Sequence, residues 1–403
     1  MASIERNVRL YPVYRATADA MAWLPIFFLY FSEQLTLPEV LLLEAVYYIA
    51  VVILEVPSGY LSDVIGRRKT LLLASFALPS AYVCFLLSQH FAAFAAGQIL
   101  IAVSIAFRSG TDTALHYESL QALGRTDEYG DREAVAGKYG FAATAIAALA
   151  GGLLGSFNLA WPYVLSLISA CVCLYIVFTF TEADTDNNAG SSSGFIRQLH
   201  TSVRYLKHPL LLWLFIYSMY MTIFVHIPYE FYQPYLRLLE NENSLAGMKA
   251  PLIAGILFAL TALVAAASSA YSMQWQRQLG LSPMLIAAAA LELIIIAAMA
   301  IMLHPLIALM VILRSGPMAV IAAPVNAAIA PLIENEQRAT FLSLQSLAGR
   351  LGFAIVLAGF SLLVADSQVT DWSSLALLLR LSVAAGLIGL LLLAVASRRL
   401  PTT

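Results

Sequence analysis

The chain has 403 residues, of which 61% are hydrophobic and 11% charged, and its formal net charge is −2. A soluble domain carries about a quarter charged residues, so this composition excludes an ordinary globule and points to the bilayer. Cys84, Cys171 and Cys173 all lie inside apolar runs, which leaves neither a disulfide framework nor a metal-ligand cluster.

A helix needs about 20 apolar residues to cross the hydrocarbon core. On that ruler the spans fall at 14–31, 39–61, 70–89, 92–120, 133–157, 161–180, 209–236, 250–274, 281–303, 305–333, 339–365 and 372–397. The period-two alternation of a membrane barrel is absent, so strands are not expected. The residues before the first span are too polar for a signal-peptide core.

The first span holds Asp19, with Arg15 and Trp23 at i±4 on one helical face. The second carries Glu44 and Glu55, which read as packing acids near the interfaces. In the fourth, Arg108 and Asp112 are one turn apart and are expected to satisfy each other. An ionisable group at membrane depth costs roughly 2.5–3.5 kcal/mol, so each of these faces a cavity or a partner. Two readings stand side by side: a self-neutralising structural pair, or a proton taken up by Asp19 or Asp112 beside the Arg108 cation. In the fifth span Gly151 and Gly155 form a GxxxG, which argues for close helix packing.

After six spans comes the one long polar connection, 182–208. It opens as a flexible tract and continues with Phe195, Leu199, Val203 and Leu206 at helical spacing against Arg197, Arg204 and Lys207, which predicts a short helix on the inner leaflet. Domains of 1–181 and 209–403 flank it. In the seventh span His226 and Glu230 are one turn apart among tyrosines, where an outer gate or an aromatic interface belt competes with substrate contact. Glu292, Arg350 and Arg380 have no evident partner in later spans, and Arg314 precedes Gly316-Pro317, a bend that suits a moving, cavity-lining element. Arg108-Ser109-Gly110 recurs as Arg314-Ser315-Gly316, and GKYGF at 137 resembles GRLGF at 349, but the two offsets disagree, so the six-plus-six hydropathy is the firmer sign of duplication.

Counting cations orients the chain. With the N-terminus inside, Arg6, Arg9, Arg67, Arg68, Lys69, Arg125, Arg132, Arg398 and Arg399 are among many cations on the inner side, against only Arg237 and Lys249 outside. Both termini are expected in the cytoplasm. The polar turn between the second and third spans, GYLSDVIGRRKT, contains Gly59, Leu61, Asp63, Gly66, Arg67 and Arg68 in the pattern G-x-L-x-D-x-x-G-R-[RK]. This resembles the loop between helices 2 and 3 of the major facilitator superfamily.

That resemblance implies an all-α membrane protein with twelve transmembrane helices in two six-helix, pseudo-symmetric bundles that work by alternating access. It also implies that Arg67 bridges to an acid at the inner end of helix 4, the position of Glu118, so that Gly59, Asp63, Gly66, Arg67, Arg68 and Glu118 form a conformational latch at the inner gate. The helix 4 pattern R-x-x-x-G is met by Arg108, with Asp112 in place of its glycine. The helix 5 antiporter pattern keeps Gly151-Gly152 and loses its proline.

No HExxH and no complete phosphate-binding loop is found. Ser109, Asp112 and His116 fit a hydrolase only superficially, so no enzyme activity, cofactor or metal is expected. The reading is a monomeric transporter in the lipid bilayer of a bacterial cytoplasmic membrane. Its partners are protons and a small-molecule substrate, not nucleic acid. Its proton- and substrate-binding candidates are Asp19, Arg108, Asp112, His226, Glu230 and Arg314. Proton-coupled efflux is favoured, uptake by symport is the alternative, and a non-transporting sensor or scaffold is the rival of another class.

Overall fold

A computed structural model describes residues 2–87, 89–182, 202–364 and 371–399. The described residues contain helices and turns and no strand. They fall into two compact units, divided essentially at the long polar connection. Among the described residues, eleven helical segments are long and apolar enough to cross a membrane. With the interrupted first segment they make the twelve spans, six in each unit.

In the first unit, α1 (Ala2–Asp19), α2 (Phe27–Phe31), α3 (Leu37–Ile65), α4 (Arg67–Leu87), α5 (Phe91–Arg108), α6 (Thr111–Ala122), α7 (Tyr129–Gly155) and α8 (Trp161–Thr179) follow in order. The expected first span at 14–31 is not one helix: α1 starts at residue 2 and stops at Asp19. An irregular stretch and a 3₁₀ turn, Leu24–Ile26, lead into α2. Pro25 has no amide hydrogen to continue an α-helical ladder, which is the local reason for the break. Trp23 therefore lies beyond the helix that carries Arg15 and Asp19.

Broken backbone at membrane depth needs replacement hydrogen bonds. Neighbouring helices supply them. Ser166 Oγ accepts from the Ala22 amide at 2.9 Å, Ser169 Oγ donates to the Thr17 carbonyl at 2.9 Å, and Thr144 Oγ1 donates to the Asp19 carbonyl at 3.2 Å. Gly151 of α7 lies directly under the break, where a Cβ would collide with the Ala22 carbonyl. Aromatic rings seal the far side: Trp23 stacks on Tyr163 with centroids 5.9 Å apart and donates its Nε1–H to Tyr82 Oη at 2.8 Å.

In the second unit, α9 (Pro209–Asn241), α10 (Ala250–Leu279), α11 (Leu281–Ile301), α12 (Pro305–Met310), α13 (Ser315–Ile329), α14 (Asn335–Leu363) and α15 (Trp372–Ser397) follow in order. Glycines again let backbones approach. A Cβ on Gly349 of α14 would stand 2.7 Å from Thr222 of α9, and one on Gly352 would stand 2.9 Å from Ile223. In each unit the fifth span thus lays a glycine of the G-x-x-G-F repeat against the first span, since Gly140 of α7 faces Asp19 of α1.

Of the amphipathic helix expected around 195–207, residues 195–201, including Phe195, Arg197 and Leu199, lie outside the described residues. The rest is a short helical piece ending in a 3₁₀ turn at Tyr205–Lys207, with Val203 exposed.

The Gly151 contact yields a first prediction. Gly151→Ala forces the α1 break and α7 apart and destabilises the protein by about 1–3 kcal/mol, the usual cost of overpacking. Gly137→Ala on the same helix meets nothing within 4 Å and serves as the control. Thermal unfolding of both variants in detergent checks this, and equal midpoints for the two contradict it.

Candidate functional site

The charges of the first unit form a crosswise ring. Arg108 Nη1 meets Asp19 Oδ1 at 2.7 Å, Arg15 Nη1 meets Asp112 Oδ2 at 2.8 Å, and Arg15 Nη2 meets Asp19 Oδ2 at 3.6 Å. The expected pairing of Arg108 with Asp112 is therefore corrected. The fourth span breaks between them: α5 ends at Arg108, Gly110 adopts a left-handed conformation with φ +74°, and α6 starts at Thr111. The two residues no longer share an unbroken helix turn, and each turns to α1 instead. Asp112 Oδ1 also accepts from the Thr113 amide at 2.8 Å, so the acid caps the first turn of α6.

The ring is held tightly from α7. A Cβ on Gly140 would stand 2.6 Å from Asp19 Oδ2, so only glycine leaves room for the carboxylate. Asp112 is buried, whereas the Arg108 and Asp19 side chains keep 22% and 18% of their exposure, enough for water or a ligand to reach them. Next to the ring, His116 stacks on Tyr11 at 3.9 Å between centroids, and its Nδ1 lies 2.7 Å from Glu133 Oε1. The serine–aspartate–histidine constellation of a hydrolase is thus not assembled: Asp112 is engaged by Arg15 and Thr113, and His116 by Glu133.

At the turn Gly59–Thr70, Arg67 Nε lies 3.1 Å from Glu118 Oε1, and Arg67 Nη1 donates to Ser62 Oγ at 3.0 Å, tying α4 to α6 and α3. Gly66 has φ +101°, a conformation that favours glycine. The acid at the start of α4 is Glu182, whose two oxygens accept from the Arg67 and Arg68 amides at 2.6 and 3.0 Å. The side chain of Asp63, the acid of the expected latch, lies outside the described residues. Arg68 donates to the Phe178 carbonyl at 3.1 Å, and Gly59 sits in α3 with open space where a Cβ would be.

In the second unit, Arg314 hydrogen-bonds to Thr261 and not to His226 or Glu230. His226 Nδ1 lies 2.6 Å from the Thr222 carbonyl on its own helix. Glu230 is fully buried in α9. Arg314, at the end of a 3₁₀ turn before α13, places its guanidinium over Tyr232 at 4.7 Å, Tyr229 at 5.5 Å and Phe258 at 5.9 Å, and donates to Thr261 Oγ1 at 3.3 Å.

The aromatic-belt reading of this helix is also corrected. Tyr217, Tyr220, Phe231, Tyr232 and Tyr235 are buried rather than lipid-facing. Tyr217, Tyr220 and Tyr235 donate to the carbonyls of Leu285, Gly386 and Met302. A cavity of 200 Å³ lies between α9, α13 and α14, lined by polar Ser218, Thr222, Asn326, Gln345 and Ser346 and by apolar side chains.

Sequence reasoning set Arg15 on the Asp19 face but left it out of the candidate site, and it took Glu182 as the start of a linker. It also left Glu44 unpartnered, whereas Gln98 Nε2 donates to Glu44 Oε1 at 2.7 Å. Arg15 had a signal, its i+4 spacing to Asp19; the Glu182 contact had none.

Residues 16–357 match the family model described as Major Facilitator Superfamily. No curated protein matches the chain. Among solved structures, the chain is similar to the nucleoside transporter NupG, at 13% identity and a TM-score of 0.80, over 99% of this chain and 100% of that one. It is similar to an auto-inhibited POT family peptide transporter, at 13% identity and a TM-score of 0.70, over 100% and 98% of the two chains. It is also similar to a D-xylose–proton symporter, at 14% identity and a TM-score of 0.65, over 95% and 96%. Identities this low speak for the shared fold alone. Twelve spans in two six-helix units and a family match over most of the chain together make it a multi-pass membrane transporter, not an enzyme, that belongs to the Major Facilitator Superfamily.

Proposed function

We propose that the chain is a proton-coupled secondary transporter of a small organic molecule, working by alternating access, with Asp19 and Asp112 as the groups that take up and release protons. The crosswise ring is the observation that carries this reading. With both acids ionised, two carboxylates balance two guanidinium groups. A proton on Asp19 leaves Arg108 without its acid and weakens the hold of Arg15 on α1. Removing one partner from a buried pair costs about 3–5 kcal/mol, and less at the partial exposure seen here, so protonation favours a rearrangement of the broken helices or capture of a new partner. A non-transporting sensor has no use for such a ring beside two interrupted spans.

Two features that favoured efflux, the remnant of the antiporter pattern and the aromatic side chains, have packing roles as well. Gly151 is committed to packing under Ala22, and the tyrosines of α9 to packing and hydrogen bonds inside their unit. With those roles filled, uptake by proton symport is the reading we favour, in keeping with the D-xylose–proton symporter among the similar structures. Efflux is the outcome that would reverse it. The cation asymmetry supports a cytoplasmic membrane with both termini inside. In that orientation Arg67, Glu118 and Glu182 lie at the inner gate, and the Arg67–Glu118 pair adjusts the rate of alternation.

The first test is transport in proteoliposomes, using whichever of uridine, D-xylose or a dipeptide stabilises the purified protein in a thermal-shift screen. Wild type accumulates the compound when the outside is acid. Asp19→Asn loses at least about tenfold of that accumulation and keeps gradient-free exchange; full accumulation by the variant removes Asp19 as the carrier. For the gate, Glu118→Gln breaks a partly exposed pair worth about 0–1 kcal/mol, so transport rate changes by no more than about fivefold with the fold intact. An inactive, well-folded Glu118→Gln protein contradicts a modulatory role.

A further inference from the structure

Glu292, in the middle of α11, is fully buried. Neither of its carboxyl oxygens has a hydrogen-bond partner among the described residues. The donors packed near it are committed elsewhere. Tyr217 Oη donates to Leu285 O at 2.8 Å, and Tyr220 Oη donates to Gly386 O at 3.0 Å. On α15, Arg380 reaches the Ala300 carbonyl, eight residues or about 12 Å along α11 from Glu292. The 3₁₀ turn that ends at Arg314 packs against α11, and Arg314 faces the rings of Tyr229, Tyr232 and Phe258 and bonds to Thr261 rather than to a carboxylate.

An ionised carboxylate in this setting, with no donor and no water contact, loses several kcal/mol of solvation with nothing in return. A neutral carboxylic acid avoids most of that cost. Arg314 meanwhile spreads its charge over ring faces, an arrangement that tolerates a cation but does not neutralise it. The second unit therefore holds a buried acid and a buried cation on elements packed against each other, not paired.

We propose that Glu292 is a second proton-binding site, protonated in this conformation, and that its deprotonation is matched by Arg314 leaving its aromatic cradle to pair with it. The O–H bond of the carboxyl breaks, the proton leaves to water, and the new carboxylate takes the guanidinium as its counter-charge. Only the use of this proton in transport rests on the function proposed above. The protonation state does not, and it is measured separately.

The measurement is infrared spectroscopy of the full-length protein in lipid at neutral pH, in the region where carboxylic acids absorb apart from carboxylates. Wild type minus Glu292→Gln shows one carboxylic-acid band that shifts in D₂O; coincident spectra overturn the proposal. Should the glutamine variant not fold, Glu292→Asp displaces the band, and an unmoved band overturns it equally. A carboxyl with a merely structural role is insensitive to Arg314. Here Arg314→Gln keeps the band over at least about one pH unit in which wild type loses it, and identical titrations overturn the pairing. If Asp19→Asn proves fully coupled while the Glu292 band behaves as stated, the ring assignment fails and this site stands.

Discussion

The first unit depends on one constraint: a charge at membrane depth is costly unless it meets an opposite charge, and here it does so across helices rather than along them. Arg108 and Asp112 are four apart in sequence, yet each pairs with α1, at 2.7 and 2.8 Å. The break at Ser109–Gly110 makes that possible by turning the two side chains out of register. The break in α1 after Asp19 brings the matching acid to the end of its helix. Two interruptions and two crosswise ion pairs are thus one device, and the hydroxyls of Thr144, Ser166 and Ser169 keep its loose backbone satisfied.

The second unit repeats the plan with different chemistry. Its fourth span is also interrupted, and Arg314-Ser315-Gly316 stands at that interruption as Arg108-Ser109-Gly110 does in the first unit. Where the first cation meets an acid, the second meets aromatic rings, with Glu292 buried nearby and unbonded. The same backbone device therefore carries a neutralised charge in one unit and an unneutralised one in the other. Such a difference between related halves is what a transporter needs if its two units bind protons at different stages.

Hydropathy alone made the twelve spans legible, because the bilayer imposes length and apolarity on each of them. It could not show the interruptions, since averaging over a span hides a two-residue break. Pro25 and Gly110 were the local signals. The pairing of Arg67 with Glu118 was readable through the motif at residues 59–68, which carries its geometry in a short turn. The partner of Asp112 lies 97 positions away, and the acid at the start of α4 comes from residue 182. No periodicity reaches across such distances; only the packing of the helices supplies them. The repeated tripeptide and glycine pairs looked accidental because their offsets differ, and they gain meaning only once both are seen at equivalent spans.

Pairing across helices is tested most directly by two double-mutant cycles on unfolding stability, one on Asp19 with Arg108 and one on Asp112 with Arg108, using Asp→Asn and Arg→Gln. The structure predicts a coupling of about 0.5–3 kcal/mol for the first and a markedly smaller value for the second. A larger coupling between Arg108 and Asp112 would mean that the charges close along one helix, and the account of the broken spans would fall with it.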